Sequence, residues 1–383
     1  MQTFLLACCC ALLLCGRALG LSSGSKGGGS KGFGAPKAAP ASSPNKPLLK
    51  NNKSPMGSKI GQPVDQGVDQ GRQQMEAEIQ SSIDTQPGMR EWMLLDADVE
   101  SWESTLSRRS VVDRATIPQR VIDDQARKAG RRAELASQHG LEREGVRARL
   151  QTFTWDCAAS SRTARHNEMA VSPAVEQHLL DTCAWVLKRP SPPTNATSSA
   201  APSSVLDVGC GNGVILRWLL THPSAPTAGV DYTGIDLSGN MIMEAQRQYT
   251  TRAPHSLRFL QANFLSYAPA SSASSTASQD DARPHSAVLF NECLHNFAAP
   301  AEALARACSL VTEGGRVVVA HPRGWANVQG QKAANAWLSP SLLPTANELI
   351  QMSREIGGGR RVEVEVAPEV RGGYLAVLKV GGG

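Results

Sequence analysis

The chain has 383 residues, of which 41% are hydrophobic and 19% charged, enough for one large domain or two ordinary ones. Its net charge of +5 belongs to the first 64 residues, which hold eight basic and no acidic side chains; the remaining 31 basic residues are outnumbered by 34 acidic ones. The basic balance is therefore no argument for a nucleic-acid partner.

Aromatic residues make up only 5% of the chain, and 34 Gly with 23 Pro point to long stretches that do not pack. Cys8, Cys9, Cys10 and Cys15 lie in the leader. Cys157, Cys183, Cys210, Cys293 and Cys308 are odd in number and contain no C-x-x-C pair, which speaks against a disulfide framework or a structural zinc site. They read as small buried hydrophobes in a reducing compartment.

The apolar run Phe4–Leu14 is too short to span a bilayer, so no stable membrane insertion is expected, but it suits a signal peptide over residues 1–20. Ala18 and Gly20 supply the small residues before a cut. Residues 21–72 are Ser-, Gly-, Lys- and Pro-rich, with a V-D-Q-G tetrad repeated over Val64–Gly71, and read as a disordered, transit-like leader. A signal peptide followed by such a tract, with Phe33 in K-G-F-G, resembles the two-part plastid leaders of algae with complex plastids, which sets the expected localisation. The competing expectation is secretion, with the sequons at Asn52 and Asn195 open to glycosylation.

Residues 73–150 read as a helical extension. Between Arg108 and Arg149 eleven basic and six acidic side chains are interspersed, the pattern of solvated helix faces with i, i+4 pairs. The competing reading is a docking arm for an anionic surface, and the N-terminal helices could also take a protein partner. Val111, Val112, Ile117, Val121, Ile122, Leu135, Leu141, Val146 and Leu150 supply only a sparse stripe, so the region is expected to order against the domain that follows. Residues 174–188 form an amphipathic helix, and 190–204 and 268–284 are Pro/Ser/Ala-rich loops.

From there strands are expected at Val205–Val208, Tyr232–Ile235, Leu257–Leu260, Ala287–Phe290, Arg316–Ala320, Val362–Val366 and Leu375–Val380. Helices are expected near 214–221, 239–250, 300–311 and 345–356. This alternation predicts an open α/β fold, a Rossmann-like, mostly parallel seven-stranded sheet. The short connection Pro368–Gly373 makes the last two strands an antiparallel hairpin.

Val205-Leu206-Asp207-Val208-Gly209-Cys210-Gly211-Asn212-Gly213 is a strand entering a glycine-rich turn. Its third glycine comes too early for a dinucleotide fingerprint. Asp207 would repel a phosphate but suits a cationic ligand. D-V-G-C-G-N-G resembles the first motif of class I S-adenosylmethionine-dependent methyltransferases, and the likeness covers about residues 170–380 of a domain drawn at 151–383.

The resemblance implies S-adenosylmethionine as cofactor, held by Asp207, Gly209, Gly211 and Gly213. It also places Asp236, with Leu237, on the ribose hydroxyls, Asn263 and Phe264 at the adenine, and Asn291 at the end of the fourth strand. His321-Pro322-Arg323-Gly324, Leu342–Thr345 and Tyr374–Leu378 further resemble uncharacterised plastid-type methyltransferases of plants and algae.

His295, at the carboxyl edge of the sheet with an intrinsic pKa near neutrality, is the candidate catalytic base. The alternative is a hydrogen-bonded histidine closing the loop over the cofactor. Glu292 is a candidate helix cap. His321 either lines the same pocket or anchors the turn before Pro322. No N-P-P-Y or D-P-P-Y turn and no Pro-Cys dipeptide occurs, and the aspartate set of magnesium-dependent catechol-type enzymes is not evident. Cys210 and Cys293 therefore read as packing residues, and the expected acceptor is a small molecule methylated without metal. A non-catalytic assembly protein and a protein methyltransferase are the alternatives.

Overall fold

The computed structural model of the chain describes residues 65–110, 114, 116–168, 171–188, 203–268, 284–366 and 372–382. The signal peptide, nearly all of the leader, Val111, Val112, most of the two Pro/Ser/Ala loops, Asn52, Asn195 and most of the Pro368–Gly373 turn lie outside the described residues.

Four helices come first: α1 (Asp65–Asp84), α2 (Met89–Arg108), α3 (Gln119–His139) and α4 (Arg143–Glu168). From Asp65 onward, α1 takes in the tetrad repeat that the sequence reading gave to the leader. Once the Glu- and Gln-rich stretch behind it is helical, each further residue adds a hydrogen bond without a new nucleation cost. α3 ends at Gly140, whose φ of 60 supplies a left-handed cap. α4 runs through position 150, where no Gly or Pro stands to break it.

The extension has a core of its own. Ile79, Ile83, Met89, Trp92, Met93, Leu135, Leu141, Val146 and Leu150 are buried together, joined by Leu338 from the distal part of the chain. Of the expected stripe, Ile122 is instead exposed. The charges bind helix to helix as well as along each helix. Buried Asp96 of α2 takes Arg132 of α3 at 3.0 Å and Arg143 of α4 at 2.6 Å, while Arg131 reaches Glu91 at 2.8 Å. A buried carboxylate is tolerated here because two guanidiniums and their hydrogen bonds replace its water.

The rest of the described chain runs α5 (Pro173–Leu187), β1 (Ser203–Val208), α6 (Leu216–Thr221), β2 (Val230–Asp236), α7 (Gly239–Gln248), β3 (Ser256–Gln261), β4 (His285–Asn291), α8 (Pro300–Leu310), β5 (Val311–His321), α9 (Gly324–Ala334), α10 (Ala346–Ile356), β6 (Val362–Val366) and β7 (Tyr374–Val380). Strand order is β3-β2-β1-β4-β5-β7-β6. β1 to β5 pair in parallel, and β7 pairs antiparallel with both β5 and β6. The fold is thus the expected Rossmann-like sheet with a C-terminal antiparallel hairpin.

Alternation along the central strands sorts side chains onto two faces. Leu206, Val208, Val288 and Phe290 pack under α8 and α10, and Val205, Ala287 and Leu289 under α5 and α6. Each fully buried large side chain contributes about 1.5–3 kcal/mol relative to exposure. Helix α9 has no counterpart among the expected elements. Among the described residues, no helix is long and apolar enough to cross a membrane.

Candidate active site

The glycine turn leaves β1 at the carboxyl edge of the sheet. Gly209 has a φ of 64, and a Cβ there would stand 2.8 Å from Cβ of Cys293, so only glycine fits. Cys293 itself donates its thiol to the Val208 carbonyl at 2.8 Å, tying the end of β4 to the end of β1. Gly211 donates its N–H to Oδ2 of Asp236 at 2.9 Å, and the N–H of Ser238 reaches Oδ1 at 2.8 Å. Two backbone donors thereby orient the Asp236 carboxylate.

These elements enclose one cavity of about 1020 Å³. Asp207, Gly209, Gly211, Asp236, Leu237, Asn263, Phe264 and Asn291 all contribute to its wall, so the structure brings together eight of the nine residues assigned to the cofactor. Gly213 is the exception. Its φ is 82, it packs behind the turn, and a Cβ would meet the Tyr249 ring at 2.8 Å.

Asp207 is 1% exposed. Its Oδ2 accepts the Tyr232 hydroxyl at 2.6 Å, while Oδ1 is buried and finds no partner among the described residues. Burial pushes this carboxyl up to about 7, with the Tyr232 hydrogen bond opposing and the Asp236 charge adding to the rise. Oδ1 of Asn291 is likewise buried and without a partner among the described residues. Two orphaned acceptors in one wall call for a donor-rich, preferably cationic, ligand.

Oδ1 of Asn263 already accepts the Leu265 N–H at 3.0 Å, a local turn bond that sets the amide's orientation. Phe264 stands edge-on to Phe290 and Phe297, with centroids 5.4 Å and 6.0 Å away.

His295 does not reach the cavity wall. It sits in the 3₁₀ turn Leu294–Asn296, 4% exposed, with its ring 5.4 Å from that of His321. Burial, reinforced by His321, lowers its pKa to about 3, against the pulls of Glu292 and Gln331. The expectation of a base poised near neutrality is therefore corrected: a desolvated imidazole with no cavity access is held neutral. His321 is also buried and off the wall, and burial lowers its pKa as well. Against the expectation of a helix cap at Glu292, the N-cap position of the 3₁₀ turn Leu294–Asn296 is held by Cys293.

The thiols of Cys210 and Cys293 are pushed well above their usual range, chiefly by burial, which keeps them protonated and packed. All five described cysteines are free. Among the described residues, no group of three or more His, Cys, Asp or Glu is arranged to hold a metal ion.

The roof of the cavity was missed. Arg147, Gln151 and Trp155 of α4 complete the wall opposite the sheet edge. Gln151 donates to the carbonyls of Asn296 at 2.8 Å and Leu338 at 3.1 Å. One turn on, Asp156 accepts the Ser238 hydroxyl at 2.5 Å and the Asn240 N–H at 3.1 Å. α4 is thus fastened to the start of α7, directly after Asp236. The unbroken helical composition across position 150 was the signal for it.

Residues 182–355 match the family model described as a methyltransferase domain. No curated protein matches the chain. Among solved structures it is similar to a chain of the complex between the Haloferax volcanii Trm112 methyltransferase activator and a putative methyltransferase. That match has 18% identity over 59% of this chain and 97% of the other, with a TM-score of 0.40. It is also similar to magnesium protoporphyrin IX methyltransferase from Synechocystis PCC 6803 with bound SAH, at 15% identity, 60% and 99% coverage and a TM-score of 0.39. The plantazolicin methyltransferase BpumL in complex with SAH follows at 15% identity, 61% and 95% coverage and a TM-score of 0.40.

Proposed function

We propose that this chain transfers the methyl group of S-adenosylmethionine to a small-molecule acceptor. One observation carries the reading: Asp207 and Asp236, at the ends of neighbouring parallel strands, line the same cavity, with the backbone of Gly211 between them.

The donor sets agree in kind. The buried Oδ1 atoms of Asp207 and Asn291 accept hydrogen bonds and have none from the described residues, and a methionyl ammonium offers three. Asp236 is an acceptor-only group suited to a ribose diol. Its position is set by two backbone N–H groups before any ligand arrives. Phe264 and Leu237 give the wall apolar surface for a base. Bound there, the sulfonium supplies an electrophilic methyl group. The protein's share is to orient the acceptor in line with it, exclude water and remove a proton where the acceptor carries one.

A small acceptor is favoured by the volume. About 1020 Å³ under the α4 roof accommodates a nucleoside and a compact second molecule, and lies at the upper end of ligand-pocket sizes.

The test begins with calorimetric titration of S-adenosylhomocysteine into the full chain. Measurable binding that is lost in Asp236→Ala supports the reading, whereas no binding to the wild-type protein ends it. Incubation with label on the methyl donor and a metabolite extract then identifies the acceptor by the labelled product.

A further inference from the structure

Arg147 joins the cavity wall from α4 and is 9% exposed. A guanidinium stays charged, so its burial has to be offset by hydrogen bonds and counter-charge. Here the offset is partial. Nη1 meets the Glu144 carboxylate one turn back, but that side chain is 66% exposed, and a pair so open to water contributes little. Nε is buried without a partner among the described residues. Arg316, the other buried arginine among the described residues, is instead served from within the fold, by the Lys188 carbonyl at 2.6 Å.

The surrounding structure fixes where this charge stands. The guanidinium carbon lies 5.8 Å from the centre of the Trp337 ring, and Trp337 meets Trp92 of α2 edge-on at 6.3 Å. Oδ1 of Asn335 accepts the N–H groups of Trp337 and Leu338, at 3.0 Å and 3.2 Å, which shapes the turn that carries the ring. Gln151, one turn further along the same face of α4, is tied to the carbonyls of Asn296 and Leu338. Arg147 is thereby held in position before any ligand arrives.

The ties of α4 also locate Arg147 along the cavity. Asp156 is fastened to Ser238 and Asn240, past β2, and Gln151 to Asn296, past β4. Arg147 lies on the far side of Gln151 from Asp156, about 13 Å back along the helix from that residue. It therefore serves the β4–β5 end of the wall, which Ala298, Ala299 and Arg323 continue, rather than the β2–β3 end assigned to the nucleoside.

We infer that Arg147 selects the methyl acceptor: a compact organic acid whose carboxylate pairs with this guanidinium. The inference rests on the methyl-transfer reading above. The parallel N–H groups of a guanidinium match the two oxygens of a carboxylate. Glu144 already presents that chemistry to Arg147, and its exposed side chain yields the place to an incoming acid at little cost. A singly charged carboxylate suits the site better than a phosphate, because Glu144, Glu292 and Glu302 also line the cavity and repel more strongly as ligand charge grows. Phe297 offers apolar surface to the rest of the acid.

The experiment uses the full chain, S-adenosylmethionine labelled on its methyl group, and a metabolite extract divided by an anion-exchange resin into retained and unretained pools. The wild type is expected to label the retained pool roughly tenfold more than the unretained one or better, and prior phosphatase treatment should leave that labelling unchanged. Arg147→Gln is expected to lower labelling of the dilute retained pool roughly tenfold or more, with the loss shrinking as the pool is concentrated, the mark of weakened acceptor binding. Its affinity for S-adenosylhomocysteine should stay within about twofold of wild type. Arg147→Lys keeps the charge without the fork and should fall between the two. Glu144→Gln removes the competing carboxylate and should raise labelling of the dilute pool.

Label confined to the unretained pool overturns the inference while methyl transfer stands. So does labelling that phosphatase abolishes, or a wild-type rate on the dilute pool in Arg147→Gln. A loss of S-adenosylhomocysteine affinity of about tenfold or more in Arg147→Gln, at an unchanged melting temperature, gives the arginine to the cofactor's own carboxylate and overturns it too. Where Arg147→Gln melts lower, the pool preference of the wild type and the rate of Arg147→Lys decide. Failure of the wild-type chain to bind S-adenosylhomocysteine, or binding with no label in either pool, overturns the methyl-transfer reading beneath.

Discussion

The hydroxyl of Tyr232 donates to Oδ2 of Asp207 at 2.6 Å, across the parallel pair β1 and β2. Gly234, directly opposite Asp207 in the register, leaves the room for it: a Cβ at that position would stand 2.9 Å from the Cys210 sulfur and 3.0 Å from the Tyr232 ring. The phenol thus lies along the strand, occupies one carboxylate oxygen and leaves the other to the cavity wall.

A stability effect with a definite sign follows from that environment. The Asp207 carboxyl is pushed up to about 7 from an ordinary value of 3.8. Between those values the native state holds a proton that the unfolded chain has released, so Asp207 erodes stability as pH rises from about 4 to about 7, and the loss is complete above that. Asp207→Asn should therefore stabilise the fold more at about pH 8 than at about pH 4.5, by a few kcal/mol at most, read as a larger rise in melting temperature at the higher pH. Equal shifts at both pH values would contradict a perturbed carboxyl.

The same titration should appear in ligand binding. An ammonium group favours ionised Asp207, so affinity for S-adenosylhomocysteine is expected to rise with pH through about 7 in the wild type. In Tyr232→Phe the rise should move to higher pH, because the hydroxyl that favours the ionised form is gone. Calorimetric titration across that range checks both.

Gly209→Ala should destabilise the fold by 1 kcal/mol or more, by both backbone strain and overpacking against Cys293. Cys293→Gly in the same chain removes the colliding Cβ and should recover part of the added cost, giving a coupling of about 0.5 kcal/mol or more in a double-mutant cycle. Simple additivity in urea unfolding would mean that the contact is relieved by other movements.

Asp156→Ala removes the acceptor that holds Ser238 and Asn240, and should cost about 1 kcal/mol of stability. Because Ser238 also donates its N–H to Asp236, the affinity for S-adenosylhomocysteine should fall with it. Asp156→Asn keeps an acceptor oxygen and should retain most of both. A melting curve unchanged in Asp156→Ala would remove α4 from the site's support.

His295→Gln should leave the pH profile of label transfer in place, because an imidazole with a pKa of about 3 does not titrate near neutrality. Its effect belongs to acid unfolding. The unfolded chain takes up a proton near 6.5 that the native state refuses until about 3, so stability falls as pH drops through that window. His295→Gln should shift the acid midpoint to lower pH, read by circular dichroism. Loss of the profile's neutral limb instead would restore His295 as the base.

Strand positions, the reversed hairpin and the glycine turn were legible because they follow local rules. β-branched runs two residues in period, glycines where φ is positive, and a connection too short for a crossover each announce themselves within a few residues. Asp207 and Asp236 were legible for the same reason, as both stand at strand ends in recognisable contexts. His295 was misjudged because its type and edge position suit a base, while its protonation depends on burial. Burial is a property of everything packed around a residue, from Gln331 to His321, and no short window contains it.

The linear order of residues was sufficient for the seven-stranded architecture and for eight residues of the cavity wall, since backbone preference and hydrophobic periodicity act over short range. It was not sufficient for the α4 roof or the raised Asp207 carboxyl. Asp156 meets Ser238 across 82 positions and Tyr232 meets Asp207 across 25. Such contacts exist only once the sheet has assembled, and desolvation, the largest electrostatic influence on Asp207 and His295 alike, arises only when the completed core excludes water.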